Sequence, residues 1–140
     1  MFRNISLALV ILIPAGTTAA AAASCDGVDL AITSVKVKSV AMGGTLNHYT
    51  IAATLVNLGT RGQLASILQS VSISQYGVQL DQHGVPPLAP GQSYTFNYVW
   101  PRSSDAGKGT STLDFMLKIQ DPPAGQEECN TVNDHYSLTL

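Results

Sequence analysis

Charged side chains are scarce in this sequence. Asp, Glu, Lys and Arg make up 11% of the 140 residues, whereas globular proteins average about 25%. The seven basic and nine acidic residues leave a formal net charge of −2. The chain therefore lacks the basic surface that binds nucleic acids, and it lacks the charge blocks that keep a polypeptide unfolded. Its length suits one domain with its own hydrophobic core.

Motifs of catalysis and metal binding are also missing. The three histidines, His48, His83 and His135, do not have H-x-x-x-H spacing, and the chain has no G-x-S-x-G elbow, P-loop or dinucleotide fingerprint. An active site needs several reactive groups that converge. We therefore expect a protein that is not an enzyme and that uses no cofactor.

The first segment has the pattern of a secretion signal. Arg3 precedes a short apolar run, residues 5–13, and small residues follow up to Ala23. This run is too short for a membrane span, which needs about 20 residues. The pattern predicts a signal peptide over residues 1–23, with cleavage before Ser24 or a few residues earlier. Because no second long apolar run follows, residues 24–140 are expected to form a periplasmic or extracellular domain.

Only two cysteines are present, Cys25 and Cys129. An even number in an oxidising compartment favours a disulfide, and a loop of this length gives about 4–5 kcal/mol in the chain-entropy model. The two cysteines would meet if the first and last strands run side by side. The alternative is a lipid anchor on Cys25, which follows Ala22-Ala23-Ser24 and would leave Cys129 unpaired.

Alternation with a period of two residues dominates the chain after residue 24. Apolar residues alternate in Tyr49–Leu55, and four aromatic residues share one face of Tyr94–Trp100. Gly, Pro and Asn separate the runs, and three prolines in Val85–Gln92 exclude a central strand there. Helical periodicity is absent. The pattern predicts an all-β protein: an immunoglobulin-like antiparallel β-sandwich of about seven short strands, with the aromatic row in its core.

Several segments occur in the order found in one known family. They are Val28–Ile32, Leu55–Thr60 with the pattern V-x-N-x-G-T, Leu88–Phe96 with L-x-P-G-x-S, Trp100, and Glu128–Asp134 with E-C-N. The chain resembles the CARDB family, the cell-adhesion-related domains found in bacteria, and departs from its pattern at Pro101, Thr131 and Asp134. The resemblance implies a seven-stranded sandwich in a secreted or cell-surface protein, with a binding or adhesion role and no enzymatic activity.

Two segments are candidates for partner binding, because the loops of a sandwich commonly carry its binding sites. The candidate residues are His83, Val85 and Pro86 in the first segment, and Arg102, Asp105 and Lys108 in the second. The expected partner is a protein or a cell-envelope glycan. Two alternatives are a structural, self-associating envelope or matrix component and an inhibitor that presents Gly84–Pro87 to a secreted enzyme.

An acidic segment precedes the last predicted strand. Asp121, Glu127, Glu128 and Asp134 could supply oxygen ligands to Ca²⁺, although they lack the spacing of a calcium loop. The simpler interpretation gives Asn130 and Asn133 a role in shaping the turn. The sequence favours turn shaping and predicts no metal, with calcium as the alternative.

Overall fold

The computed structural model describes residues 25–140; the predicted signal peptide and its cleavage site lie outside the described residues. The described chain forms seven strands and one short 3-10 helix, Ala106–Lys108. The strands are β1 (Leu30–Gly43), β2 (Leu46–Asn57), β3 (Leu68–Gln75), β4 (Val78–Gly84), β5 (Ser93–Ser103), β6 (Thr112–Gln120) and β7 (His135–Thr139). Among these residues, no helix is long and apolar enough to cross a membrane.

The strands form two antiparallel sheets, with the orders β1-β2-β5 and β4-β3-β6-β7. The sheets pack face to face, so the predicted immunoglobulin-like β-sandwich is confirmed. One end carries the β1–β2 and β3–β4 turns and the β5–β6 loop, and we call it the hairpin end. The other end carries both cysteines, and we call it the cysteine end.

The core consists of the inward-facing residues of both sheets. Phe96 and Trp100 of β5 are 4% and 3% exposed, and Tyr94 and Tyr98 pack partly buried against the same cluster. The predicted core position of the aromatic row is therefore confirmed. The inward face of β5 does not stop at Trp100, because the next inward side chain, Arg102, is also buried.

The two sheets differ in strand length. β1, β2 and β5 have 14, 12 and 11 residues, whereas the longest strand of the other sheet has 9. The three-stranded sheet therefore extends further at the hairpin end, where Val40, Met42 and Leu46 are exposed. Two register shifts in β1, after Ile32 and after Val37, bend this long strand.

Asn57, at the end of β2, holds the cysteine end together. Its side chain is fully buried, and Nδ2 donates to the carbonyls of Arg61 (2.9 Å) and Leu88 (3.0 Å). Its Oδ1 accepts from the amides of Gly59 (3.0 Å) and Asp29 (3.4 Å). One amide group thus connects the end of β2 with the segment before β1 and with the proline-rich crossing. We call this cluster the Asn57 junction.

Gly59 allows the backbones at the Asn57 junction to approach closely. A Cβ atom at this position would lie 2.1 Å from the carbonyl oxygen of Gly27 and 2.7 Å from the amide nitrogen of Asp29. Both contacts are with backbone, which a rotamer change cannot relieve. The N-x-G pattern of the sequence therefore has a structural cause: the asparagine side chain hydrogen-bonds the neighbouring segments, and the glycine leaves room for them.

Cys25 and Cys129 form the predicted disulfide, with Cα atoms 5.9 Å apart. The two segments run parallel here, with a bridge between Val28 and Glu128, and the Cys129 amide donates to the Val28 carbonyl (2.9 Å). The disulfide thus joins the first described residue to the segment before β7. Because the Cys25 sulfur is bonded to Cys129, it is not available for a lipid thioether in this structure.

We expect Gly59→Ala to destabilise the domain by about 3 kcal/mol or more, because the added methyl group must displace two backbone segments. Gly62→Ala is the matched control, since a Cβ there would lie 3.4 Å from its nearest neighbour, the Pro90 side chain. Urea unfolding followed by tryptophan fluorescence measures both variants. Equal midpoints for the two variants would contradict the role given to Gly59.

Candidate functional site

The two predicted binding segments lie at opposite ends of the sandwich. The His83 ring nitrogen Nε2 lies 3.1 Å from the Tyr94 hydroxyl, near the start of β5, whereas Arg102 is near the end of that strand. Since a strand rises roughly 3.3 Å per residue, more than about 20 Å separates them. The two segments therefore do not form one binding surface.

The segment His83–Pro87 packs against the body of the protein. His83 belongs to β4, and its ring stacks on Phe96 with centroids 4.1 Å apart. Val85 is 6% exposed, and the Pro86 carbonyl accepts from Gln69 Nε2 (2.9 Å). The predicted loop position is thus wrong for His83, which is a strand residue packed on Phe96, whereas Val85 lies after β4 with its side chain in the core. Partner binding by this segment stays a prediction. Only Pro86 of the three predicted residues is exposed.

Arg102 is a strand residue whose side chain points inward, so its prediction as a loop residue is wrong. The side chain is 8% exposed. Its guanidinium carbon lies 4.8 Å from the Trp100 ring centroid and 5.9 Å from that of Tyr49, within the range of cation–π attraction. Nη2 donates to the Gly109 carbonyl (3.0 Å). The aromatic rings and this bond hold the guanidinium in one orientation.

Asp105 and Lys108 lie in the β5–β6 loop, as predicted. The Asp105 carboxylate accepts from the Gly107 amide (2.9 Å) and so caps the short 3-10 helix. Lys108 is exposed, and its ammonium lies 3.5 Å from the Asp105 carbonyl. Asp105 therefore shapes the loop, while Lys108 remains accessible to a partner.

A cavity of about 270 Å³ opens beside Arg102 at the hairpin end; we call it the Arg102 pocket. Its wall includes Gln75, Tyr76, Trp100, Pro101, Arg102, Ser103, Lys108, Thr110 and Ser111. Two cations therefore line it, and no carboxylate does. Among residues 25–140, the one ion pair joins His135 and Asp114, so Arg102 has no acidic partner there. A buried cation without a counterion is costly unless a ligand or another polar group compensates it.

Tyr76 stands at the rim of the Arg102 pocket in a strained conformation. Its φ is 52° and that of Gly77 is 76°, the left-handed pair of a tight hairpin turn, which favours Asn-Gly. The Tyr76 side chain is 78% exposed, and its hydroxyl lies 3.1 Å from Ser111 Oγ. A bulky residue in the left-handed region costs free energy and is found preferentially at functional sites. The sequence does not reveal this strain, since a sequence pattern does not contain the φ of one residue.

The four carboxylates of the calcium alternative serve different local roles. The Glu127 carboxylate accepts from the Gly125 amide (2.8 Å), and the Glu128 carboxylate accepts from the Leu30 amide (2.9 Å). Asp121 is exposed. Within the described range, no group of three His, Cys, Asp or Glu residues is arranged to hold a metal ion. The structure thus does not assemble the ligand set that the calcium alternative needs.

Of the two predicted turn-shaping asparagines, Asn130 bonds within this segment, whereas Asn133 bonds residues at the start of the domain. Asn130 Oδ1 accepts from the Val132 amide (3.2 Å), and Asn133 Nδ2 donates to the carboxylate of buried Asp29 (2.9 Å). The Asn133 carbonyl accepts from the Ile32 amide (3.0 Å). The segment before β7 is therefore fastened to β1, which accounts for its asparagine content.

Glu128 and Asp134 line a second cavity, of about 340 Å³, beside Leu117 and Ile119. Burial, together with the charges of Asp134 and Asp29, raises the pKa of Glu128 to about 7, although the hydrogen bond from the Leu30 amide acts in the opposite direction. Burial likewise raises the pKa of Asp134 to about 6, with a contribution from Asp29. The Glu128 Oε1 and Asp134 Oδ1 atoms are buried without hydrogen-bond partners. Two half-buried acids thus take up protons near neutral pH.

These raised pKa values predict that the folded state binds protons more tightly than the unfolded state. Stability should therefore fall as the pH rises from about 4, the ordinary carboxyl range, to about 7, where Glu128 ionises in the folded protein. Glu128→Gln and Asp134→Asn should each flatten this decline. Urea midpoints measured between about pH 4 and pH 7 test this prediction. Variant midpoints that fall with pH as steeply as those of the wild type would refute the assignment of the decline to Glu128 and Asp134.

Comparisons with known proteins support the fold but identify no family for this chain. No protein-family model matches the chain, and no curated protein matches it either. The chain is similar in structure to a domain, solved by solution NMR, of a "putative cell surface protein" from Methanosarcina acetivorans. The TM-score is 0.56 at 23% sequence identity, over 81% of this chain and 90% of that domain. This chain therefore shares its sandwich architecture with a domain of a protein described as belonging to the cell surface.

Proposed function

We propose that this protein is an exported, non-catalytic binding module that holds its partner at the Arg102 pocket. The observation that carries the proposal is Arg102, a buried arginine (8% exposed) without an acidic partner in the described chain, on the wall of a cavity. A protein that only spaces other domains has no need for such a group. A bound partner would supply the missing negative charge.

The lining of the Arg102 pocket supports binding rather than catalysis. It offers cationic, amide and hydroxyl donors from Arg102, Lys108, Gln75 and Ser111, together with the exposed ring of Tyr76. No histidine or carboxylate lines this cavity to act as a general base. The groups present are those that orient and hold a polar ligand.

Export is supported by three independent features. Residues 1–23 have the composition of a signal peptide, Cys25 and Cys129 form a disulfide, and disulfides persist in oxidising compartments. The similar solved domain also carries a cell-surface description. Membership of the CARDB family, which the sequence resembles, remains part of this proposal.

The two alternatives rest on other surfaces. Self-association would use the exposed apolar residues of the β1–β2 hairpin, Val40, Met42 and Leu46. Inhibition of an enzyme would use Gly84–Pro87, which is fastened to β3 through Gln69 and buries Val85. Self-association therefore has an exposed apolar surface available, whereas inhibition would rely on a segment that is partly buried.

We expect the protein secreted by its native host to begin near Ser24 and to carry a disulfide. Intact-mass spectrometry should give the mass of residues 24–140 less two hydrogens. Retention of residues 1–23 would contradict export by a cleaved signal, and added acyl mass on Cys25 would contradict the disulfide.

We also expect Lys108→Glu to abolish most partner binding, because it places a negative charge on the wall of a pocket proposed to receive one. The assay is an array of extracellular glycans and proteins, probed with labelled residues 24–140. Lys36→Glu is the matched control, since Lys36 is exposed on β1 and is not part of the Arg102 pocket.

One spot of the array carries the unlabelled protein itself. Partner binding that survives Lys108→Glu would refute the proposed site. Binding to the protein's own spot that survives the same substitution would favour self-association through the hairpin instead.

A further inference from the structure

We infer that the Arg102 pocket recognises a carboxylated sugar unit, a uronic acid of an extracellular acidic polysaccharide. The inference rests on the proposed binding function and specifies its ligand. Three features of the pocket lead to it: the fixed guanidinium, the set of neutral polar groups around it, and the strained aromatic ring at the rim.

The fixed guanidinium favours a carboxylate. A guanidinium presents planar paired donors that match the two oxygens of a carboxylate, and it has five N–H donors in all. The Arg102 guanidinium lies 4.8 Å from the Trp100 ring centroid and 5.9 Å from that of Tyr49, and it donates a hydrogen bond to the Gly109 carbonyl. Its orientation is therefore set before the ligand arrives, which lowers the entropic cost of binding.

The second cation of the pocket, Lys108, also favours an anionic ligand. Lys108 lines the wall on a flexible side chain, so it adds long-range attraction rather than fixed geometry. The nearest acidic residue along the chain, Asp105, directs its carboxylate to the Gly107 amide. An anion that enters the pocket thus meets two cations and no lining carboxylate.

Neutral polar groups surround the cations in the manner of a hydroxyl-binding site. Gln75 Nε2 donates to Ser111 Oγ, and the Tyr76 hydroxyl lies beside the same oxygen. Ser103 and Thr110 add further hydroxyl groups to the wall. These groups can both donate and accept, which suits the hydroxyls of a sugar ring.

Tyr76 supplies a flat apolar surface next to these polar groups. Sugar rings present C–H groups on one face, and these pack against the negative face of an aromatic ring. The exposed ring of Tyr76 is held at the rim although the turn would favour asparagine at φ 52°. A ligand that packs on the ring explains why an unfavourable residue occupies this position.

The size of the pocket suits a single sugar unit. Its volume of about 270 Å³ is at the lower limit of small-molecule sites, roughly 300–1,000 Å³. One ring with a carboxylate can enter, and neighbouring units of a polymer can extend past the open rim.

The test compares matched ligands on residues 24–140 by NMR titration. The probes are trimers of galacturonate, glucuronate and mannuronate, each beside its methyl ester, together with triglutamate and inorganic sulfate. We expect at least one uronate trimer to shift the signals of Tyr76, Arg102 and Ser111. Its ester should bind about tenfold more weakly or worse, because it loses charge-assisted hydrogen bonds.

Two variants of lining residues and one control variant separate the contributions of Lys108 and Tyr76 to binding. Lys108→Gln should weaken binding by about two- to fivefold, as for an exposed charge pair. Tyr76→Asn should weaken binding further while raising the melting temperature, since asparagine suits the turn. Lys36→Gln should change neither. A Tyr76→Asn variant that binds as tightly as the wild type would overturn the role given to the ring.

Other outcomes separate this inference from the proposed function. Equal binding of esters and acids, or equally tight binding of sulfate or triglutamate, would overturn the uronate assignment. If no probe binds but an array partner is lost with Lys108→Glu, the uronate inference fails and the binding site stands. If array binding survives Lys108→Glu, both fail.

Discussion

The architecture depends on the satisfaction of one buried amide. The Asn57 side chain has no access to water, so its donors and acceptor must be paired within the protein. The four partners lie on three separate stretches of chain, and they can reach the amide only when the stretches cross at one point. Gly59 permits that crossing because it has no Cβ. The order of the strands then follows, since β1, β2 and the crossing before β5 are fixed together.

This constraint divides the molecule into two ends with different roles. The cysteine end contains the Asn57 junction, the disulfide and the bonds between the segment before β7 and β1. The segments that resemble a known family meet largely at this end, where their residues pair backbone groups and fill close contacts. These segments therefore contribute to the fold of the chain. The hairpin end has the longer strands, the strained turn and the Arg102 pocket.

Electrostatics shows the same division. Within residues 25–140, half-buried acids without cationic partners lie at the cysteine end, and a buried arginine without an acidic partner lies at the hairpin end. Because the length of β5 separates them, these groups do not neutralise each other, and each is stabilised by its own surroundings. The acids hold protons, which links the stability of the cysteine end to pH. Arginine cannot lose its proton at any relevant pH, so the Arg102 guanidinium stays charged, with the Trp100 and Tyr49 rings and the Gly109 carbonyl beside it.

The sequence by itself determined the alternation of the strands and the turns at glycine and proline. These are local or nearly local properties, because period two and turn preferences act over a few residues. The tertiary structure alone decided which inward positions were filled by apolar groups and which by Arg102. It also showed that His83 packs on Phe96, that Val85 is buried, and that the two predicted segments lie at opposite ends. Such facts depend on contacts between residues distant in sequence, and one-dimensional patterns do not contain them.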